Sequence, residues 1–366
     1  MRRPPAPPIL WTMVLAALAI AAVLSRPVVR AAGSALTADM RYLLDPEGRV
    51  VGWDPATDRL APLEIPGGGA VKDLAVVAPE ELLALVDQGA AADRHRRAQG
   101  TALLLAPSPT GLREVGEVHF HGRGFKVVVG RDGERAYVVS YRIEASGGAT
   151  QQRAWVHALD LRSGKVADSA ALPDLPEGVA LDPHGDRLYF SLRDRILTYT
   201  TAPLASSWRY RSPGINRGLA FLPASAILLA VRPRAVAVFD PRVIAARTAE
   251  DRRARNDDAT ALIPLSIEAA DLLCPGRDAP VIAYGEGGLL AFLDAGGARV
   301  IDGPPPDSVM IEARQVRPLL TGPEQGAVRF AVFPPGTIVR VPLPGLPPSS
   351  MPAAEPSPSA PPPAPA

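Results

Sequence analysis

Cysteine, lysine, asparagine and histidine are scarce in this chain of 366 residues, and the chain also has almost no net charge. The single cysteine, Cys274, excludes an intrachain disulfide, so the fold must be stabilised by packing. Only three of the 39 basic residues are lysines, and the net charge of +1 is far from the basic footprint of a nucleic-acid-binding protein. We therefore expect no nucleic-acid partner.

The longest apolar run without charge is residues 9–25, which read ILWTMVLAALAIAAVLS. At ~1.5 Å per residue this run covers about 25 Å as a helix, which is close to the thickness of the bilayer core. Two interpretations stay open: a transmembrane anchor, or the hydrophobic region of a cleaved signal peptide. Arg2 and Arg3 precede the run, and the positive-inside rule then places residues 1–8 in the cytoplasm and the body outside it. We predict a single-pass protein of the cell membrane, or a secreted protein if the segment is cleaved.

The body, residues 40–345, follows a linker at residues 26–39 and carries a recurring strand-like pattern. Alternating apolar residues run into an Asp or another turn residue, as in VVGWDPATDRL (50–60) and VHALDLRSGKV (156–166). Seven copies follow one another at steps of 40 to 54 residues, the period of propeller blades rather than of a helical solenoid. Almost no segment has a helical period. The pattern predicts an all-β fold, a β-propeller of seven blades, with six as the alternative.

Two hairpins in the middle of the body contain the residues that best identify the turns and the type of repeat. Asp132-Gly133 and His184-Gly185 align at an offset of 52 residues, and each predicts a tight turn in which glycine adopts a positive φ. The segment GVALDPHGDRLYFSL and the hairpin VHALDLRSGKV resemble the YVTN-type bacterial β-propeller repeats shared by YncE-like proteins. The resemblance implies the propeller fold. Such proteins include surface binding proteins, and related propellers include lactonases, so it leaves two functions open.

Three further segments interrupt or follow the repeats. Residues 88–100 and 241–260 are insertions between strands, and the alanine-rich second one predicts one short helix. Residues 346–366 are rich in proline, which lacks the backbone donor that a strand ladder needs. We predict that this tail is disordered.

Residues that could bind a metal are few, and no group of them in the sequence supplies a full set of ligands. His119 and His121 lie on one face of a predicted strand and could chelate a metal, but no third ligand lies nearby in the sequence. Glu177, Asn216 and Asp271 precede or begin inner strands and would offer oxygen ligands, as in metal-dependent propeller lactonases. The rest of the lactonase pattern is missing, so we predict neither a metal nor a cofactor.

The favoured function is a membrane-anchored extracytoplasmic propeller that acts as a binding or scaffold module for a protein or a small polar ligand. The alternative is an exported propeller enzyme with lactonase- or lyase-like activity at the central funnel, and no residue is assigned a catalytic role. Loops that lead from an outer strand into the next inner strand converge on one mouth of the funnel. There we predict a mixed-charge ring of Lys72, Asp73, His121, Arg123, Glu177, Asn216, Arg217, Asp271 and Arg317.

Overall fold

The computed structural model describes the body of the chain, namely residues 42–54, 59–78, 81–87, 99–108, 111–146, 149–222, 225–274, 279–285, 288–304, 315–319, 327–334 and 336–344. The features predicted at residues 1–8, 9–25, 26–39, 88–98 and 346–366 lie outside these ranges. Within the ranges, no helix is both long and apolar enough to span a membrane.

Seven antiparallel sheets, each made of strands that are consecutive along the chain, form the blades of a β-propeller. Blades 1 to 4 consist of β1–β3 (Tyr42–Leu44, Val50–Asp54, Arg59–Leu63), β4–β7 (Ala70–Ala78, Glu81–Asp87, Gln99–Ser108, Gly111–His121), β8–β11 (Arg123–Val129, Arg135–Ser146, Ala149–Asp160, Lys165–Leu172) and β12–β15 (Gly178–Leu181, Arg187–Ser191, Arg195–Thr201, Leu204–Arg211). Blades 5 to 7 consist of β16–β19 (Leu219–Phe221, Leu228–Arg232, Ala235–Phe239, Ala261–Pro264), β20–β23 (Asp271–Leu273, Val281–Tyr284, Leu290–Leu293, Val300–Ile301) and β24–β26 (Gln315–Leu319, Ala327–Phe333, Thr337–Pro342). The prediction of an all-β propeller with seven blades is confirmed.

The hydrophobic core is divided among the blade interfaces. The described residues form seven clusters of buried side chains, and each cluster joins two neighbouring blades. The cluster that closes the ring contains Leu43 and Trp53 of blade 1 and Leu319 and Ala331 of blade 7. Because each sheet alternates its side chains between two faces, every blade contributes to the clusters on both sides. Burial between blades therefore stabilises the ring as a whole.

The two aligned hairpin turns form as the sequence predicts. Gly133 and Gly185 have φ angles of 68° and 82°, a region that residues with a Cβ rarely adopt. Before Gly185, the Oδ1 atom of Asp182 accepts hydrogen bonds from the backbone N–H groups of Asp186 and Arg187 at 2.8 and 3.2 Å. The carboxylate thus satisfies backbone donors that the tight turn leaves outside the strand ladder.

The insertion at residues 241–260 contains two short helices, where one was predicted: α1 (Pro241–Ala246) and α2 (Ala249–Ala254). The separation has a local cause. Thr248 caps α2 through its hydroxyl, which accepts from the Asp251 N–H at 3.1 Å, while the Asp251 carboxylate accepts from the Thr248 N–H. This reciprocal cap begins a new helix and ends the first one before residue 248.

The innermost strands surround a central channel. Strands β24, β1, β4, β8, β12, β16 and β20 contact one another in this order. Six of them, all except β1, are the first strands of their blades after a connection from the previous blade. We call the end of the channel at which these six strands begin the entry end, and most of the predicted ring residues belong to it.

Candidate functional site

A buried carboxyl group lies at the entry end of the channel. Asp271 is the first residue of β20 and is 3% exposed. Its Oδ1 accepts a hydrogen bond from the Leu272 N–H at 2.9 Å. Burial raises the pKa of Asp271 to about 7, although the positive charges of Lys126 and Arg317 oppose the rise. This carboxyl therefore changes its charge close to neutral pH.

Lys126 reaches the same place from another blade. Strand β8 has an irregular register between Gly124 and Lys126, and after this bulge the ammonium group donates to the Glu177 carbonyl at the start of blade 4. Lys126 also acts electrostatically on Asp271 in blade 6. The predicted ring did not include Lys126, although its rarity as one of three lysines was an available signal.

Strand β4 has the same kind of bulge, between Val71 and Asp73. The Oδ2 atom of Asp73 accepts a hydrogen bond at 2.8 Å from the backbone N–H of Val127 in the next blade. Asp73 and Lys126 thus both follow a bulge and both connect their blade to its neighbour. Part of the predicted ring consequently has a structural role.

Two glycines allow the inner strands to come close together. A Cβ atom at Gly218 would lie 2.0 Å from the Asp271 Oδ1, and one at Gly178 would lie 2.8 Å from the Arg217 carbonyl oxygen. Neither distance is compatible with a side chain. The carboxyl of Asp271 therefore packs directly on the backbone of blade 5.

Two buried polar side chains beyond the predicted ring belong to the neighbouring blades 6 and 7. Tyr284 pairs with Asp271 in the register of β20 and β21, and burial together with the Asp271 charge raises its pKa well above the ordinary value. Gln315, the first residue of β24, is 2% exposed. Within the described part of the chain, neither the Tyr284 hydroxyl nor the Gln315 amide has a hydrogen-bond partner. The sequence held no signal for these two residues, since both occur in strand-like runs.

The structure divides the nine predicted residues into three groups. In the first group, Asp271 interacts electrostatically with Lys126 and with Arg317, Glu177 meets Lys126 through its backbone carbonyl, and Asp73 accepts from the neighbouring Val127 N–H. Lys72 and Arg123 are exposed at the beginnings of their strands, and Arg217 forms an ion pair with Glu268 at 3.0 Å. The last group is His121 and Asn216.

His121 and Asn216 do not face the channel. The His121 carbonyl accepts from Ser140 Oγ at 2.6 Å, and its ring lies edge-on to Trp155 on the third strand of blade 3. The Asn216 side chain is fully buried, and its Nδ2 donates to carbonyls of Leu192, Ser212 and Gly214. Asn216 therefore stabilises the connection into blade 5, and the prediction that it reaches the funnel is wrong.

In the described residues, no three His, Cys, Asp or Glu side chains are close enough together to hold a metal ion. His119 lies 3.2 Å from the Thr101 hydroxyl and 3.4 Å from Glu117, so its contacts differ from those of His121. Cys274 is only partly exposed, and burial raises the pKa of its thiol to about 12, as expected for an unreactive cysteine.

The outer wall of the ring has a groove of about 800 Å³ between blades 3 and 4. It is lined by the end of β11, by β14 and β15, and by Ile244 of α1. Trp208 projects there with 48% of its surface exposed. A large exposed aromatic residue beside a cavity is typical of an interaction surface.

The chain matches no protein-family model and no curated protein. Among solved structures it is similar to the crystal structure of a functionally unknown protein from Desulfotomaculum acetoxidans DSM 771. The TM-score is 0.56 and the sequence identity 11%, over 82% of this chain and 93% of that one. Similarity at this identity supports the propeller fold alone, so membership in the YVTN and YncE-like group is still an expectation.

Proposed function

We propose that this protein is an extracytoplasmic binding module, held at the membrane through residues 9–25, whose entry end captures a partner carrying negatively charged groups. The observation that supports the proposal is the charge around Asp271. Lys126 and Arg317 both act on this carboxyl, which is only partly ionised at neutral pH. Besides Asp271, this end has three carboxylates, Asp73, Glu177 and Glu268, against five basic side chains: Lys72, Arg123, Lys126, Arg217 and Arg317. The balance of charge at the entry end is therefore positive.

The recognition would be electrostatic and based on hydrogen bonds. Guanidinium groups bind carboxylates and phosphates through paired donors, and such contacts are stronger than those between neutral groups. Asp271 is buried, so the partner would contact the exposed side chains at the same end, such as Lys72 and Arg123. Complementary charge at a rim mainly increases specificity and the rate of association.

The double variant Arg123→Ala/Arg217→Ala tests this proposal. Titration calorimetry with citrate and with a short polyglutamate peptide should show binding to the wild-type protein and at least about tenfold weaker binding to the variant. The melting temperature should change little, because both side chains are at the surface.

The matched control is Arg113→Ala/Arg131→Ala, which removes two exposed arginines from other parts of blades 2 and 3. This control should bind both probes as the wild type does. Equal binding by the ring variant and the wild type would contradict the proposal, as would an absence of binding by the wild type.

A separate experiment tests the membrane topology. A reporter that is active only outside the cytoplasm should be active when fused after residue 40, because residues 9–25 follow two arginines. Replacing Leu15 and Leu18 with Arg should abolish that activity, since charge in the middle of the run opposes insertion. Activity of a cytoplasm-only reporter at the same position would contradict the predicted topology.

A further inference from the structure

The groove between blades 3 and 4 has an apolar floor. Leu172 at the end of β11 and Leu197 and Tyr199 on β14 line it, and all three are largely buried by the blade interface. The Tyr199 hydroxyl donates to the Ala171 carbonyl at 3.0 Å, so its polar atom already has a partner and its ring belongs to the apolar lining. Trp208 on the edge strand β15 extends the aromatic surface outward.

One wall of the groove is cationic. Arg195, Arg209 and Arg211 lie along β14 and β15, with Asp258 as the acidic residue among the lining. Arg195 contacts Asp194 at 2.7 Å, and the Arg211 guanidinium donates to the Arg255 carbonyl. Arginine and the indole of tryptophan supply donors only, so the wall suits an occupant that is rich in acceptors.

An extended proline-rich segment has the matching chemistry. The polyproline II helix has no internal hydrogen bonds, so its carbonyl oxygens are free to accept from arginine and tryptophan. Proline-rich segments dock in aromatic grooves and lose little conformational entropy because they are already extended. Both properties fit the aromatic floor and the donor-rich wall.

Such a segment is present in this chain. Residues 345–366 contain nine prolines, no Lys or Arg, and one ionisable side chain, Glu355. The segment follows directly on Pro344, the last described residue, at the end of blade 7. In an extended polyproline II form, 22 residues at ~3.1 Å each would reach about 68 Å. A compact domain of about 300 residues has a radius of gyration near ~19 Å, or about 50 Å in diameter, so the segment is long enough to reach blade 4.

We propose that the distal part of residues 345–366 docks in this groove of their own propeller, with proline rings against Trp208 and Tyr199 and with backbone carbonyl groups on the arginine wall. The groove is then an intramolecular binding site for a proline-rich ligand. This proposal does not rest on the entry-end site, which lies on the channel and not on the outer wall.

The test uses the full chain in detergent micelles and a variant that ends at Pro344. A synthetic peptide of residues 345–366 should bind the shortened chain with one-to-one stoichiometry in a fluorescence anisotropy titration. It should bind the full chain at least about tenfold more weakly, because the attached segment competes at a high effective concentration. A peptide with every proline replaced by alanine should not bind.

Substitutions in the shortened chain locate the site. Trp208→Ala and, independently, Arg209→Glu should each weaken binding of the peptide at least about tenfold, and both residues are exposed enough to be replaced without loss of the fold. Leu262→Ala, at another exposed apolar position on blade 5, is the matched control and should leave binding unchanged.

Four results would overturn the proposal. The peptide could fail to bind the shortened chain, or bind it and the full chain equally. Binding could also be insensitive to both groove substitutions. Finally, light scattering could show a dimer of the full chain that disappears when residues 345–366 are removed, which would place the segment on a second copy.

Discussion

Acidification from about pH 7.5 to about pH 4.5 is expected to destabilise the variant Asp271→Asn and to stabilise His157→Gln, while the wild-type protein responds less than either. Both residues are buried. Burial lowers the pKa of His157 to about 4 and raises the pKa of Asp271 to about 7. The free energy of unfolding from urea titrations at the two pH values measures the effect.

His157 causes the loss of stability that acidification produces. Its ring is buried between two hydroxyls, with Nε2 at 2.9 Å from Ser140 Oγ and Nδ1 at 2.7 Å from Ser169 Oγ, and burial lowers its pKa from 6.5 to about 4. As the pH falls, the unfolded chain therefore binds the proton first. The contribution of His157 to the free energy of unfolding is present above about pH 6.5. It decreases by about 3 kcal/mol in all as the pH falls towards about 4.

Asp271 has the opposite effect, a gain of stability on acidification. Its pKa is raised from 3.8 to about 7, so the folded protein takes up the proton first as the pH falls. Stability is gained between about pH 7 and about pH 4 and is lost when the pH rises through 7. The two contributions overlap and partly cancel in the wild type. Replacing either residue therefore leaves the pH dependence of stability that the other one causes.

The double variant Asp271→Asn/His157→Gln is the control. Asp160 and Asp251, whose pKa values are lowered by hydrogen bonds, are present in every variant, so their contributions cancel when variants are compared. The pH dependence of the double variant should lie between those of the single variants. If Asp271→Asn has the same pH dependence as the wild type, the carboxyl of Asp271 is already ionised at pH 4.5 and its assignment is wrong.

The architecture could be predicted because it depends on local patterns that recur. Alternating apolar residues specify the two faces of each strand, and turns such as Asp132-Gly133 specify where a hairpin reverses. Seven such units predict seven blades. The second helix of the insertion also had a local signal, since Thr248 and Asp251 have the spacing of a capping pair, but the run of alanines and charges favoured one helix.

The site was less predictable because it depends on contacts between blades. The prediction placed Asp73, Asp271 and Arg317 in loops that lead into inner strands, and the structure places them inside those strands, within the first four residues of each. The prediction missed Lys126 because a bulge moves this residue into the ring, and the bulge is stabilised by a hydrogen bond from the next residue, Val127, to Asp73 in blade 2. Asn216 was chosen because it precedes an inner strand and offers an oxygen ligand, and neither property distinguishes a ligand-binding amide from one that stabilises a turn.

Gly218→Ala is expected to lower the free energy of unfolding by about 3 kcal/mol, through overpacking and displacement of a buried carboxyl. The new Cβ would lie 2.0 Å from the Asp271 Oδ1 and 3.2 Å from the Asp271 Cα, so rotating the side chain alone does not remove the contact. Moving Asp271 would also break its hydrogen bond to the Leu272 N–H. Urea unfolding followed by circular dichroism measures the loss.

Gly116→Ala is the matched control, because its φ is also outside the left-handed region and the nearest atom to its Cβ would be Leu104 Cβ at an ordinary 3.8 Å. This variant should be as stable as the wild type or more stable by up to about 1 kcal/mol, since alanine restricts the unfolded chain. In an Asp271→Ala background, Gly218→Ala should be less harmful by more than about 1 kcal/mol, because the carboxyl is gone while the contact with the backbone of residue 271 is still present. Equal losses in both backgrounds would show that the contact with the backbone of residue 271 causes the whole loss, and that the packing of the Asp271 carboxyl on blade 5 contributes nothing to it.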